Sequence, residues 1–369
     1  MERRNQVLAQ NDRLCNLPQN VIEAVLVLLP IRDAVRTSIL SSQWRYRWTA
    51  IPQLVFNKEC IPHPLTCPNL NRLHRVNIVN QILLRHRGPI HKFKCSRYLQ
   101  SCPDIDTWIT FLCNDGIKEF TLHCSEGDMH KVPVHLFSCK DLQSLELAKC
   151  SVKPPPTFSG LANLKTLVLC QITITSEALE HLLSRCTFLE DLKLEDFQGL
   201  THLKLVCPNA KKITIKGSFQ DLCFSTPLLA FADIFLTSSV KAEEEQMRVS
   251  NRGNLDRVLG PLIHIQKLVV ESYFLQSDEM ELDALEEFAW GASCCMLNCL
   301  NTMAMVEIRG CKSELMLLEF VLANAPVLRT MIITFKKDLQ VHEESEILKR
   351  LIRFRRASPQ ATIIFEDAE

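Results

Sequence analysis

Apolar residues fall at helical spacing near the start of the chain and in short repeated clusters after that. Val21, Ile22, Val25, Leu28 and Leu29 lie on one wide apolar helix face. Pro18 suits a first helical turn and Pro30 stops the helix. Asp33 then sits in the first turn of a second short helix, where its charge favours the positive dipole end. That helix carries Ala34, Val35, Ile39 and Leu40, and Ser41 or Ser42 caps a third helix with Trp44 and Trp48. Three helices in about 35 residues cannot bury this much apolar surface among themselves. The leftover face needs a partner.

IPQLVF (51–56) reads as a short strand. After it, the template L-x-x-L-x-L recurs as Ile90/Phe93/Cys95, Ile117/Phe120/Leu122, Leu142/Leu145/Leu147, Leu164/Leu167/Leu169 and Leu189/Leu192/Leu194. It continues as Leu200/Leu203/Leu205, Ala210/Ile213/Ile215, Ile265/Leu268/Val270, Met303/Val306/Ile308 and Leu328/Met331/Ile333. The central positions of the first five clusters lie about 22 to 27 residues apart, within the leucine-rich-repeat range. Two later ones shrink to about 10 residues, which predicts adjacent strands joined by tight loops. LQSLELAKC, ending at Cys150, and MAMVEIRGC, ending at Cys311, fit the longer repeat form, whose last residue turns inward to bond the neighbouring loop. Helical stretches at 104–116, 175–186 and 313–326, each opened by a Ser, Thr or Asp cap, alternate with the strands. This α/β order predicts a right-handed coil with strands on its concave face. The residues on that face are the x positions Thr121, Glu146, Val168, Lys193, Lys204, Thr214, Val269, Glu307 and Ile332. They mix charged and apolar types, as a protein-binding surface does.

The segment 241–254 lacks an apolar period and reads as an exposed loop or a helix start, with Glu243 to Glu245 solvated. From Lys336 onward come a basic helix (Lys349, Arg350, Arg353, Arg355, Arg356) and a final strand at 361–365, a natural cap.

Charge narrows the function. Lys+Arg and Asp+Glu each total 42, so nothing steers the whole chain toward nucleic acid or anionic lipid. No apolar run approaches the roughly 18 residues of a membrane span, and the opening MERRNQVLAQNDR is polar. An intracellular chain, in nucleus or cytoplasm, is expected, with its 17 scattered cysteines free and mostly buried. Only 10 glycines are present, with no phosphate-cradling motif, nucleophile elbow, H-E-x-x-H or C-x-x-C. Cys60, His63, Cys67 and His74 have zinc-ligand chemistry but no common zinc spacing, so a plain loop is the preferred reading. Cys294, Cys295 and Cys299 read as buried filler, and Trp108 and Trp290 as core. No catalytic residue, cofactor or metal is expected.

The stretch LPQNVIEAVLVLLPIRDAVRTSILSSQWRYRW (17–48) resembles an F-box. Leu17-Pro18, Leu29-Pro30-Ile31, Arg36-Thr37-Ser38 and Trp44-Arg45 through Trp48 carry the likeness; Gln43 departs from it, standing where a basic residue is usual. IPQLVF, the stretch 189–217 and the stretch 306–335 extend the resemblance to the plant F-box/FBD/LRR-repeat proteins, with Ala210 a weak repeat position. The likeness implies an F-box over 12–50, an irregular, curved and open leucine-rich-repeat solenoid over 51–290, and an FBD-like end over 291–369. It also implies a non-catalytic substrate receptor of an SCF-type ubiquitin ligase. The box would dock on a Skp-type adaptor, and through it a cullin-RING ligase, by Leu17, Pro18, Ile22, Leu29, Pro30, Ile31, Val35 and Leu40. The repeats would select a target protein. Two alternatives stay open: an adaptor-independent repeat scaffold, and a small-molecule-sensing F-box receptor, which would need more full-length repeats.

Overall fold

Two prolines at helix N-caps set the first elements: Pro18 precedes α1 (Gln19–Leu28) and Pro30 precedes α2 (Ile31–Arg36). The second helix ends in a 3-10 turn at Thr37–Ile39, and the third helical segment shrinks to a 3-10 turn at Arg47–Ala50. The aromatic and β-branched run RYRWT is a poor helix former, and burial of Trp44 and Trp48 holds it in place. The computed structural model describes residues 17–42, 44–57, 60, 68–96, 101–124, 127, 129–200, 202–219, 221–236, 264–271 and 296–366. They belong to two units, residues 1–164 and 165–369. His63, Cys67, the loop at 241–254, Trp290, Cys294, Cys295 and Gln43 lie outside the described residues.

In the first unit the helical segment leads into β1 (Gln53–Phe56), α3 (Pro68–Arg85), β2 (Lys92–Ser96), α4 (Pro103–Asn114), β3 (Glu119–His123), β4 (His130–Lys131), β5 (Ser144–Ala148) and β6 (Cys150–Ser151). β1, β2, β3 and β5 pair in that order as parallel neighbours, and β4 pairs with β6. The long spacers between the ladder strands provide the crossovers that parallel pairing demands. The register brings Leu54, Phe93, Phe120 and Leu145 into line, all buried. Phe93 packs between Phe56 and Phe120, with ring centroids at 5.6 Å and 5.7 Å. Helix α3, unforeseen from the sequence, buries Val76, Val79, Ile82 and Leu83. Its Asn80 accepts from the Trp108 indole at 2.6 Å and donates to Asp104 at 3.1 Å, tying α3 to α4 around a core tryptophan.

The helical segment is joined to this ladder by short-range bonds. The Arg87 amide donates to Thr49 O at 2.8 Å, and His86 Nε2 lies 2.8 Å from Ile51 O. At Gly88 a Cβ would stand 3.2 Å from Ala50 Cα, so a larger residue would push the two segments apart.

The second unit comprises β7 (Thr166–Cys170), α5 (Ser176–Arg185), β8 (Asp191–Glu195), β9 (His202–Val206), β10 (Lys212–Gly217), β11 (Asp221–Ser225), β12 (Phe231–Leu236), β13 (Lys267–Glu271), β14 (Thr302–Ile308), α6 (Lys312–Asn324), β15 (Thr330–Phe335), α7 (Val341–Arg353) and β16 (Thr362–Glu366). The ladder runs β7-β8-β10-β12-β13-β14-β15-β16, all parallel. β9 and β11 form a separate parallel pair. This corrects the expectation of tightly looped neighbours at the shortened spacing. A handful of residues cannot carry a chain back to start a parallel neighbour. Strands about 10 residues apart therefore alternate between two sheets, and each ladder strand returns after about 20 residues, a full repeat. The α5 repeat uses a helix as its second layer, the next two repeats use the strands β9 and β11, and α6 and α7 return as helices between β14, β15 and β16. Lys204 of β9 meets Glu180 of α5 at 2.7 Å where the two layers adjoin.

Caps also differ in part from expectation. Thr175 accepts from the Ala178 amide at 3.3 Å, as a Thr cap should. Helix α4 instead starts behind Cys102 with Pro103 in its first turn, and α6 starts behind Cys311. Cys311 therefore opens a helix rather than turning under its strand. At that start the fully buried Glu314 carboxylate accepts from the amides of Arg309, Gly310 and Cys311 at 3.1, 2.7 and 3.0 Å. Gly310 has φ +82°, and a Cβ there would stand 2.6 Å from Ile347 Cγ1 of α7. Only glycine fits that turn.

Candidate interaction surfaces

The helical segment divides its apolar residues between two faces. Ile22, Leu26, Ile31 and Ala34 are buried. On the neighbouring side of α1 lie Val21, Val25 and Leu28, spaced i, i+4 and i+7 as one stripe, all exposed. Leu28 is 85% exposed, and in the turn after α2 Ile39 is 86% and Leu40 55% exposed. Among the residues expected at the adaptor, Pro18, Pro30 and Leu40 are exposed, and Leu17, Leu29 and Val35 are half-buried. Ile22 and Ile31 support the surface from beneath rather than form it. Sequence reasoning missed Val21, Val25, Leu28 and Ile39 as a distinct stripe because it merged two adjacent faces; the i, i+4, i+7 phase separates them. The hydroxyls of Thr37 and Ser38 donate to Ala34 O and Val35 O, each at 2.6 Å, so polar groups here are turned onto the backbone.

Along the ladders, one row of side chains occupies the middle of the strands on the face opposite the buried leucines. In the first unit the row is Val55, Lys94, Thr121 and Glu146. Glu146 lies 2.7 Å from His123 Nε2 and accepts from Thr121 at 3.2 Å. The adjacent His123 imidazole holds its carboxyl below the usual range, against a smaller opposing effect of burial. In the second unit the row is Val168, Lys193, Thr214, Asp233, Val269, Ala304, Ile332 and Ile364.

Two expected members are displaced. Lys204 belongs to the β9–β11 pair. Glu307 sits at a bulge in β14 with φ 60°, and Ala304 takes the row position. The buried rung is Leu300/Met303/Met305, so the sequence template falls three residues too far along a strand whose middle is apolar on both faces. Asp233 was missed because its rung, Leu229/Ala232/Ile234, has alanine at its centre.

Most described thiols are free and buried, but Cys113 and Cys139 form a disulfide with Cα atoms 5.1 Å apart, a correction to the expectation of free cysteines. Among the described residues no group of three or more His, Cys, Asp or Glu is arranged to hold a metal. None of their helices is long and apolar enough to cross a membrane.

His130 is buried on β4, with Nδ1 3.2 Å from Ser101 Oγ and Nε2 3.3 Å from Asp106 Oδ1. Burial lowers its pKa below the ordinary 6.5, and the Asp106 carboxylate only partly offsets this. The unfolded chain then binds the proton more readily than the folded one. His130 therefore favours the fold above about pH 6.5, and that contribution is lost as the pH falls toward the depressed value. Lowering the pH from about 7 to about 5 should depress the melting temperature, and His130→Gln should flatten that slope. An unchanged slope in the variant would assign the acid sensitivity elsewhere.

Comparison with known proteins supplies the frame for these surfaces. Residues 14–52 match the F-box domain, residues 105–285 the LRR repeats of the FBD-associated F-box protein At5g56370, and residues 294–333 the FBD. The F-box/FBD/LRR-repeat protein At1g13570 of Arabidopsis thaliana is 39% identical over 265 residues, covering 71% of this chain and 62% of the relative. The F-box/FBD/LRR-repeat protein At5g56420 of the same plant is 25% identical over 288 residues, covering 72% of this chain and 66% of the relative. This chain thus spans just under two thirds of the length of either. With the box, the repeats and the terminal module matched in order along one chain, it belongs to the F-box/FBD/LRR-repeat family.

Proposed function

We propose that this chain is the target-recognition subunit of an SCF-type ubiquitin ligase. Its helical segment docks on a Skp-type adaptor, and a ladder face holds the protein to be modified. The observation that carries this reading is the exposed apolar stripe Val21, Val25 and Leu28, with Ile39 and Leu40, inside the F-box match. Apolar residues so exposed on so small a segment favour a partner that takes them from water. Pro18, Pro30, Leu17, Leu29 and Val35 complete that surface, and Ile22 and Ile31 hold it up from the core. The chain then contributes position, not chemistry: a cullin-RING assembly brings the charged ubiquitin, and proximity supplies the rate. The work is done in the nucleus or cytoplasm.

Co-expression with a Skp-type adaptor followed by size-exclusion chromatography tests this. The wild-type chain should co-elute with the adaptor in a stoichiometric complex. Leu28→Asp/Ile39→Asp should weaken it by about 100-fold or more, since each change places a charge in a dry contact. Both side chains are exposed, so the variant should melt like the wild type. An unaltered complex in the variant, or no complex in the wild type, would remove the adaptor from the account and leave a repeat scaffold.

A further inference from the structure

The register of the second ladder assembles a mixed apolar and basic spot. Lys212 of β10, Phe231 of β12 and Lys267 of β13 are direct neighbours in a row at the N-terminal ends of their strands. Phe231 is 41% exposed, unusual for a phenyl ring on a sheet, and both lysines are exposed. Neither lysine has an ion-pair partner among the described residues; the neighbouring Lys211 is the one that engages Glu190, at 2.8 Å. Two positions further along the same face lie Thr214, Asp233 and Val269, and the Thr214 hydroxyl donates to Asp233 at 3.4 Å. Beyond Lys212 stands Asp191 of β8. An apolar ring between two unpaired cations, bordered by carboxylates, is a local feature rather than a general basic surface.

We propose that this spot anchors an extended acidic segment of the target protein, an inference that rests on the target-recognition reading above. The spacing specifies the segment. Lys212 and Lys267 are two strands apart, about 10 Å. An extended chain advances about 3.3 Å per residue and turns alternate side chains to one face, so carboxylates four positions apart share a face about 13 Å apart, a span that two long lysine side chains reach by splaying outward. The fitting pattern is acid–x–apolar–x–acid, with the apolar side chain laid on Phe231 and a carboxylate on each lysine. Contact with the ring removes water from the flanking charge pairs and strengthens them. A nucleic acid fits less well, because a continuous phosphate chain would pass over Asp191 and Asp233.

Fluorescence polarisation with the full chain would use short peptides containing Glu-Ser-Leu-Ser-Glu, Lys-Ser-Leu-Ser-Lys or Ser-Ser-Leu-Ser-Ser, and a single-stranded oligothymidylate. The acidic peptide should bind about tenfold more tightly than the serine peptide. Lys212→Glu/Lys267→Glu should invert the order in favour of the lysine peptide, and Phe231→Ala should weaken the acidic peptide by about tenfold. No binding, equal binding of the three peptides, an order the double variant leaves intact, or oligothymidylate binding as tightly as the acidic peptide would each overturn the inference. Adaptor co-elution is read separately. A chain that takes the adaptor but no peptide loses this inference alone, and one that takes the peptide but no adaptor loses the ligase reading alone.

Discussion

Phe93→Ala should lower the unfolding free energy of the first unit by about 3 to 5 kcal/mol, the range found when a buried aromatic is cut back to a methyl group. Phe93 is the central ring of three, with Phe56 and Phe120 on the flanking strands β1 and β3. Removing it withdraws packing from both neighbours at once, and the parallel register stops either strand from sliding in to fill the space. Phe93→Leu should cost less than half as much, because it retains most of the apolar volume. Urea unfolding followed by tryptophan fluorescence would measure both. Trp44, Trp48 and Trp108 all lie in the first unit, so the signal reports mainly there. A loss below about 1 kcal/mol for the alanine variant would mean that the stack is not a central part of the core.

Glu314→Ala should be nearly as damaging to the second unit, by about 3 kcal/mol or more. The carboxylate is fully buried, yet it accepts three backbone amides, of Arg309, Gly310 and Cys311, which is what makes its burial tolerable. Without it those donors lose their acceptor at the start of α6. Glu314→Gln keeps one carbonyl oxygen in place and should recover part of the loss. Hydrogen exchange gives a site-specific check: the three amides should lose protection in the alanine variant before the amides of β15 do. Protection that falls evenly across the unit would mean that Glu314 acts through general packing instead.

Much of this architecture is legible in the sequence, and the failures have physical causes. The rungs from Ile90 to Leu194 are read correctly because leucine-type residues alternate there with polar ones, so only one frame buries them all. In β14 the run Met303-Ala304-Met305-Val306 is apolar on both faces, and alternation cannot choose the frame. Leu300 chooses it, together with the pairing to β15. β9 and β11 carry repeat-like leucines, and only the rule that parallel neighbours need a long crossover moves them to another sheet. Helix α3 was missed because its apolar positions are sparse among Asn, Arg and His. The Cys113–Cys139 disulfide joins residues 26 apart in sequence, one pairing among many that 17 cysteines allow. At the helical segment, sequence revealed the apolar excess. Sorting core from surface required α1's rotation about its own axis, a distinction of one residue in phase.

The bonds from Thr49 and Ile51 to Arg87 and His86, with Gly88 fitted against Ala50, leave no slack joint between the helical segment and the strands that follow. A tethered receptor would let its cargo wander and offer many side chains in turn. A welded one presents the same side of whatever it carries on every encounter. In a ligase built on this chain, target contacts made on the first unit's ladder would then choose the acceptor lysine by aim: a cargo rotated there would be bound as tightly and modified at another place, or not at all.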